Sequence, residues 1–133
     1  MIGVLLVTHG EIGTALLTSA SQILGGAQQV ATLSVWRQDD PDDLVLRARE
    51  LLEQIDAGDG VLALTDIFGA TPGNVVSRLL ADGQVEGVSG VSLPMLLRVL
   101  TGRNGSLGAA VKRALSGGAE GVVHMNSDRC LDA

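Results

Sequence analysis

The chain of 133 residues has one cysteine, one tryptophan, one phenylalanine and no tyrosine. A lone cysteine, Cys130, excludes an internal disulfide and any cysteine-built zinc cluster. With so few aromatics there is no stacking platform for bases. The formal net charge of −6 also repels a phosphate backbone, so nucleic-acid binding is excluded as a function class. The core has to be built from Leu, Val, Ala and Ile. No basic segment precedes the first apolar run, and no apolar stretch approaches the ~20 residues of a membrane span. A soluble, cytoplasmic protein with no direct membrane insertion is expected. Internal repeats and low-complexity linkers are lacking as well.

What is present suits one folded unit. With 46% hydrophobic and 18% charged residues the composition is not that of a disordered chain. A domain of this length buries roughly 65–70% of its unfolded surface, enough to fold without a metal or a cross-link. Residues 1–133 are therefore read as a single domain.

Residues 2–7 form an apolar run broken only by Gly3, the pattern of a strand covered on both faces. Ile12–Leu24 places Ile12, Leu16, Ala20, Ile23 and Leu24 at helical spacing, with Gly25-Gly26 as the stop. Val30–Val35 is a second strand. Asp40 is an N-cap, Pro41 opens a helix, and Asp42 and Asp43 put acid in its first turn. Leu44, Ala48, Leu51, Leu52 and Ile55 then make one apolar stripe. Val61–Thr65 is a third strand, 72–81 a short helix and 85–88 a fourth strand. Helices are expected over 94–100 and 107–115, then a short last strand over 121–125 and a frayed polar tail. Strands alternating with helices predict an α/β fold with a doubly wound, mainly parallel sheet and helices on both faces.

Ligands in such sheets sit beyond the carboxyl ends of the strands, at a topological switch point. Thr8-His9-Gly10 follows the first strand and Thr65-Asp66 the third. If those strands are neighbours, His9 and Asp66 face each other. After Asp66 comes a loop with Gly69 and Ala70, then Thr71 as N-cap and Pro72 as the first helical residue. The loop amides, the helix start and the Thr71 hydroxyl together make an anion site. A neutral imidazole has one ring nitrogen with a free lone pair, and a carboxylate accepting the other N–H fixes the tautomer. No serine or cysteine is placed to give His9 a proton. Histidine itself is then the nucleophile, and phosphorus the electrophile.

The segments VTHGEIG, LTDIFGATPGNVVSRLL and SGVSLPMLLRVL carry a resemblance over nearly the whole chain, in order and at matching spacing. They resemble the enzyme IIA component of the mannose (mannose–fructose–sorbose) family of the bacterial phosphoenolpyruvate-dependent sugar phosphotransferase system. The resemblance implies that His9 takes a phosphoryl group from phosphohistidine HPr and passes it to a histidine of a IIB-type protein. It implies that Asp66 orients the imidazole and that Thr71 contacts the phosphoryl group. It also implies a homodimer in which residues 121–125 cross to the partner's sheet and pair antiparallel. No cofactor or metal is expected, because the donor is already a high-energy phosphoramidate.

The chain departs from the family pattern at two loop positions. Ala70 replaces the second glycine of a Gly-Gly pair, and Gly73 stands where a bulky aromatic is common, altering the rim that meets a partner. Many relatives continue into a fused IIB domain. None follows here, so the acceptor is expected to be a separate protein.

Two other functions fit parts of the pattern. A regulatory module would use the same chemistry at His9, its phosphorylation state being read by a partner without sugar transport. A histidine phosphatase would need an arginine before the histidine, where Thr8 stands, and a second histidine, for which only His124 is on offer. His124 otherwise reads as a structural or surface residue. Trp36, just past the second strand, either rims the crevice or packs.

Overall fold

Side chains alternate along the first strand, β1 (Gly3–His9), and both of its faces are covered. The computed structural model describes residues 1–127. Cys130 and the last part of the expected frayed tail lie outside them. The elements that follow β1 are α1 (Ile12–Leu24), β2 (Val30–Val35), α2 (Pro41–Ile55), β3 (Val61–Thr65), α3 (Thr71–Ser77), β4 (Val85–Ser89), α4 (Leu93–Leu100) and α5 (Leu107–Glu120). The four strands are parallel in the order β2-β1-β3-β4.

Val4 and Leu6 of β1, with Leu62 and Leu64 of β3, point to one face. There they meet Ala20 of α1, Leu96 and Val99 of α4, and Ala110 and Ala114 of α5. Leu5 and Val7, with Val61 and Ala63, point to the other face and meet Leu44 and Ala48 of α2 and Val75 and Val76 of α3. This is the three-layer arrangement that the alternation of strands and helices predicts. The expected start of α2 is observed: Asp40 is the N-cap, and its side chain accepts from the Asp42 N–H at 2.9 Å. Among the described residues no helix is long and apolar enough to cross a membrane.

The connections set the place of the site. From β1 the chain passes through α1 to β2 on one side, then returns through α2 to β3 on the other. The order therefore reverses at β1, and the crevice of a doubly wound sheet opens beyond the carboxyl ends of β1 and β3.

Two expected boundaries are corrected near the end of the chain. The last helix does not stop at residue 115 but runs on to Glu120, through Gly117 and Gly118. Both glycines lie against α4. A Cβ on Gly117 would stand 3.0 Å from the Arg98 Cβ and 3.2 Å from the Met95 Cα, so these residues permit close helix packing rather than a stop. Residues 121–125 form no strand within the chain; they are turn and coil. Val122, Val123 and Met125 there are exposed. Among the described residues no strand pairs with them.

Candidate functional site

His9 is the last residue of β1, two residues beyond the expected end of that strand. Its strand partner in β2 is Val35. Gly10 turns the chain with φ +49°, and its N–H donates to the Val35 carbonyl at 2.9 Å. Behind this turn Thr8 is buried, and its hydroxyl oxygen accepts the Gly13 N–H at 2.8 Å. The histidine is thus held between a strand end and the start of α1.

Because β1 and β3 pair in register, with Val7 opposite Thr65, the next residue of β3's exit falls beside the end of β1. That residue is Asp66. Its Oδ2 accepts from His9 Nδ1 at 2.8 Å and from the His9 main-chain N–H at 3.1 Å. The Thr65 hydroxyl donates to the other oxygen, Oδ1, at 3.4 Å. The Asp66 side chain is only 12% exposed, whereas that of His9 is 48% exposed. Burial alone would push the Asp66 carboxyl up. Hydrogen bonds from the His9 ring, the His9 amide and its own amide, with attraction to His9, outweigh burial and hold it below the usual range. At neutral pH Asp66 is a carboxylate and can only accept, so Nδ1 carries the ring proton of neutral His9. Nε2 then keeps the lone pair.

Beside the imidazole lies a cleft of about 560 Å³. His9, Trp36, Arg37, Asp39, Pro41 and Thr71 line it, with Val35 at its base. The structure therefore brings together His9, Asp66 and Thr71, as expected. Trp36 takes the rim position. Gly69 and Ala70 do not line this cleft. Gly69 is exposed with φ +85°, a conformation that favours glycine. Ala70 has extended φ and ψ, so its methyl costs no backbone strain where the family has glycine.

The helix start differs from expectation by one residue. Ala70 is the N-cap and Thr71 the first residue of α3; no side chain caps this end. The Thr71 hydroxyl is thereby left for the cleft. Gly73 lines a different cleft, with Phe68, Val76, Leu80 and Gly87, so a missing aromatic there alters that face rather than the His9 rim. His124 is exposed beyond α5 and does not line the His9 cleft, so a second histidine is missing from the pocket. Among the described residues no three His, Cys, Asp or Glu side chains are grouped to hold a metal ion.

Nothing in the local sequence singles out Arg37. A charged residue just past a strand looks like a solvated turn residue. Its one signal is position, since it follows the carboxyl end of the strand next to His9.

The model of the family described as PTS system fructose IIA component matches residues 3–115. The mannose-specific EIIAB component of the phosphotransferase system (PTS) of Escherichia coli is 32% identical over 124 residues, which is 91% of this chain but 38% of that protein. The chain thus spans well under half the length of that relative. The PTS fructose-specific EIIA component of Bacillus subtilis is 33% identical over 102 residues, covering 76% of this chain and 70% of that protein. The crystal structure of phosphotransferase system component EIIA from Streptococcus agalactiae superimposes with a TM-score of 0.86 at 25% identity, covering 96% of this chain and 99% of that one. With a family model matched over most of its length and two relatives above 30% identity, the chain belongs to the IIA components of the sugar phosphotransferase system, in the mannose–fructose family.

Proposed function

We propose that this protein is a cytoplasmic phosphocarrier: His9 accepts a phosphoryl group from phospho-HPr and passes it to a histidine of a IIB-type protein during phosphoenolpyruvate-dependent sugar uptake. The observation that carries this reading is the Asp66 bond to His9 Nδ1, which leaves Nε2 as the free nucleophile beside an open cleft.

In the first step the Nε2 lone pair attacks phosphorus in line. The donor's N–P bond breaks, and its electron pair returns to the donor nitrogen. The proton on Nδ1 stays in place, and the positive charge that develops on the phosphorylated ring lies against the Asp66 carboxylate. The Thr71 hydroxyl, which lines the same cleft, donates to a phosphoryl oxygen. Catalysis is positioning and electrostatics. The second step reverses the first, with the IIB-type histidine as nucleophile.

The active unit in this reading is a homodimer. Support comes from the exposed Val122, Val123 and Met125 and from β4, an edge strand of the sheet. An exchanged antiparallel strand would cover both.

Incubation with phosphoenolpyruvate, enzyme I and HPr tests the carrier role. One phosphoryl group, acid-labile and base-stable, is expected on the wild-type protein and none on His9→Ala. An acid-stable adduct, or full labelling of His9→Ala, would overturn it. Discharge on adding a IIB-type protein separates transport from a purely regulatory use of the same chemistry.

A further inference from the structure

A phosphoryl group on Nε2 brings about two negative charges into the His9 cleft. Two carboxylates already stand there or at its edge, Asp66 and Asp39. His9 itself meets the charge of Asp66. The charge of Asp39 is turned onto the main chain: its Oδ2 accepts the Trp36 N–H at 2.8 Å, and its own N–H donates to the Trp36 carbonyl at 3.0 Å. These two bonds close a turn, and Arg37 lies inside it.

The turn is also fixed relative to the imidazole. Val35 is paired with His9 across the sheet, and its carbonyl accepts the Gly10 N–H. Arg37 therefore sits two residues past the strand position that faces His9. Its side chain is exposed and lines the same cleft as His9 and Thr71. Among the residues that line this cleft it is the one permanent cation.

Several other arginines are engaged, whereas Arg47, like Arg37, has no such partner among the described residues but does not line this cleft. Arg78 is paired with Asp42, Arg98 with Glu120, and Arg103 donates to the carbonyls of Ile2 and Gln28. Arg37 has no hydrogen-bond or ion-pair partner among the described residues. A guanidinium presents a planar fork of donors that fits two oxygens of a phosphoryl group, and it remains charged at all relevant pH values.

Building on the phosphocarrier reading of His9, we propose that Arg37 is a catalytic residue whose guanidinium binds the phosphoryl oxygens of phospho-His9 and neutralises the group during transfer. Its part is noncovalent. The bonds that form and break remain the two N–P bonds, at Nε2 and at the donor or acceptor nitrogen.

The test compares wild type with Arg37→Gln and Arg37→Lys, each incubated with phosphoenolpyruvate, enzyme I and a fixed amount of HPr. Two quantities are read: the phosphorylated fraction at equilibrium with HPr, and the rate at which it is reached. In Arg37→Gln the equilibrium shifts toward phospho-HPr by about tenfold or more, the value of a lost charge-assisted bond. Arg37→Lys regains part of it as a point charge without the fork. The thermal midpoint of the unphosphorylated protein stays unchanged in both, because the side chain holds nothing in that state. If Arg37→Gln reaches the wild-type equilibrium, the proposal is overturned. A slower approach to that same equilibrium overturns it too, since a guanidinium bound to phospho-His9 itself has to shift the equilibrium and not only the rate. Failure to label the wild-type protein at all strikes the carrier reading itself, and the role of Arg37 with it.

Discussion

One oxygen of Asp66, Oδ2, accepts both the ring Nδ1 and the main-chain N–H of His9, at 2.8 and 3.1 Å. The carboxylate thus fixes the tautomer of the imidazole and, through the amide, the strand end that bears it. Asp66→Asn keeps the shape and loses the charge. Its amide group can also donate to Nδ1, which would move the ring proton to Nε2 and block the nucleophile. Phosphoryl transfer to His9 in Asp66→Asn is expected to slow by about a hundredfold or more, with the fold intact by circular dichroism. Labelling at the wild-type rate would show that the pair is structural only.

The same pair makes stability depend on pH. The Asp66 carboxyl is held below its usual range, against the effect of burial, by its hydrogen bonds with His9. A group whose folded pKa is depressed binds protons more readily in the unfolded chain. Its stabilisation is then present above the ordinary aspartate value of about 3.9 and is lost as pH falls through the folded value. Denaturant unfolding should find wild type more stable than Asp66→Asn at pH 7, with the gap closing below about pH 4. A gap that stays constant into acid would contradict the assignment.

Behind the site, Thr8 is buried and its hydroxyl oxygen accepts the Gly13 N–H. Thr8→Val has the same shape without the acceptor and leaves that amide unpaired. A loss of about 1–3 kcal/mol is expected in unfolding experiments, and Thr8→Ser should recover most of it. Equal stability of the valine and wild-type proteins would mean that the bond contributes nothing.

The proposed dimer makes a simple prediction. Light scattering on the 133-residue chain of 13.6 kDa should give twice the monomer mass. Truncation after Glu120 removes the segment with Val122, Val123 and Met125 and should give a folded monomer. A dimer that survives the truncation would place the interface elsewhere.

Much of this architecture could be read from periodicity and punctuation. Ile12–Leu24, Val30–Val35 and Val61–Thr65 have the bounds expected from apolar spacing, because turn residues flank each one. Asp40-Pro41 marked the start of α2 through two independent effects, a capping oxygen and a proline that needs no N–H partner. The run of α5 past residue 115 is not legible locally, because a glycine such as Gly117 or Gly118 can break a helix or let another helix approach; the contact with α4 decides which. The 121–125 segment has strand-like residues but no partner strand among the described residues, and pairing is not a local property. Thr71 was displaced by one position, a difference that a loop of small residues does not encode.

The site was legible only conditionally. His9 and Asp66 each stood at a strand end, but their meeting depends on β1 and β3 being neighbours, which the strand order supplies. Arg37 stayed out of view for a similar reason: its relation to His9 runs across the sheet, through Val35, and not along the sequence.

The central claim is that Nδ1 is pinned by Asp66 and Nε2 is the phosphorylated atom. Nitrogen-15 and phosphorus-31 NMR of the protein, labelled in its histidines and phosphorylated through enzyme I and HPr, reads this directly. The account predicts phosphorus coupled to Nε2 of His9 and a proton retained on Nδ1. Phosphorus on Nδ1, or on His124, would contradict it.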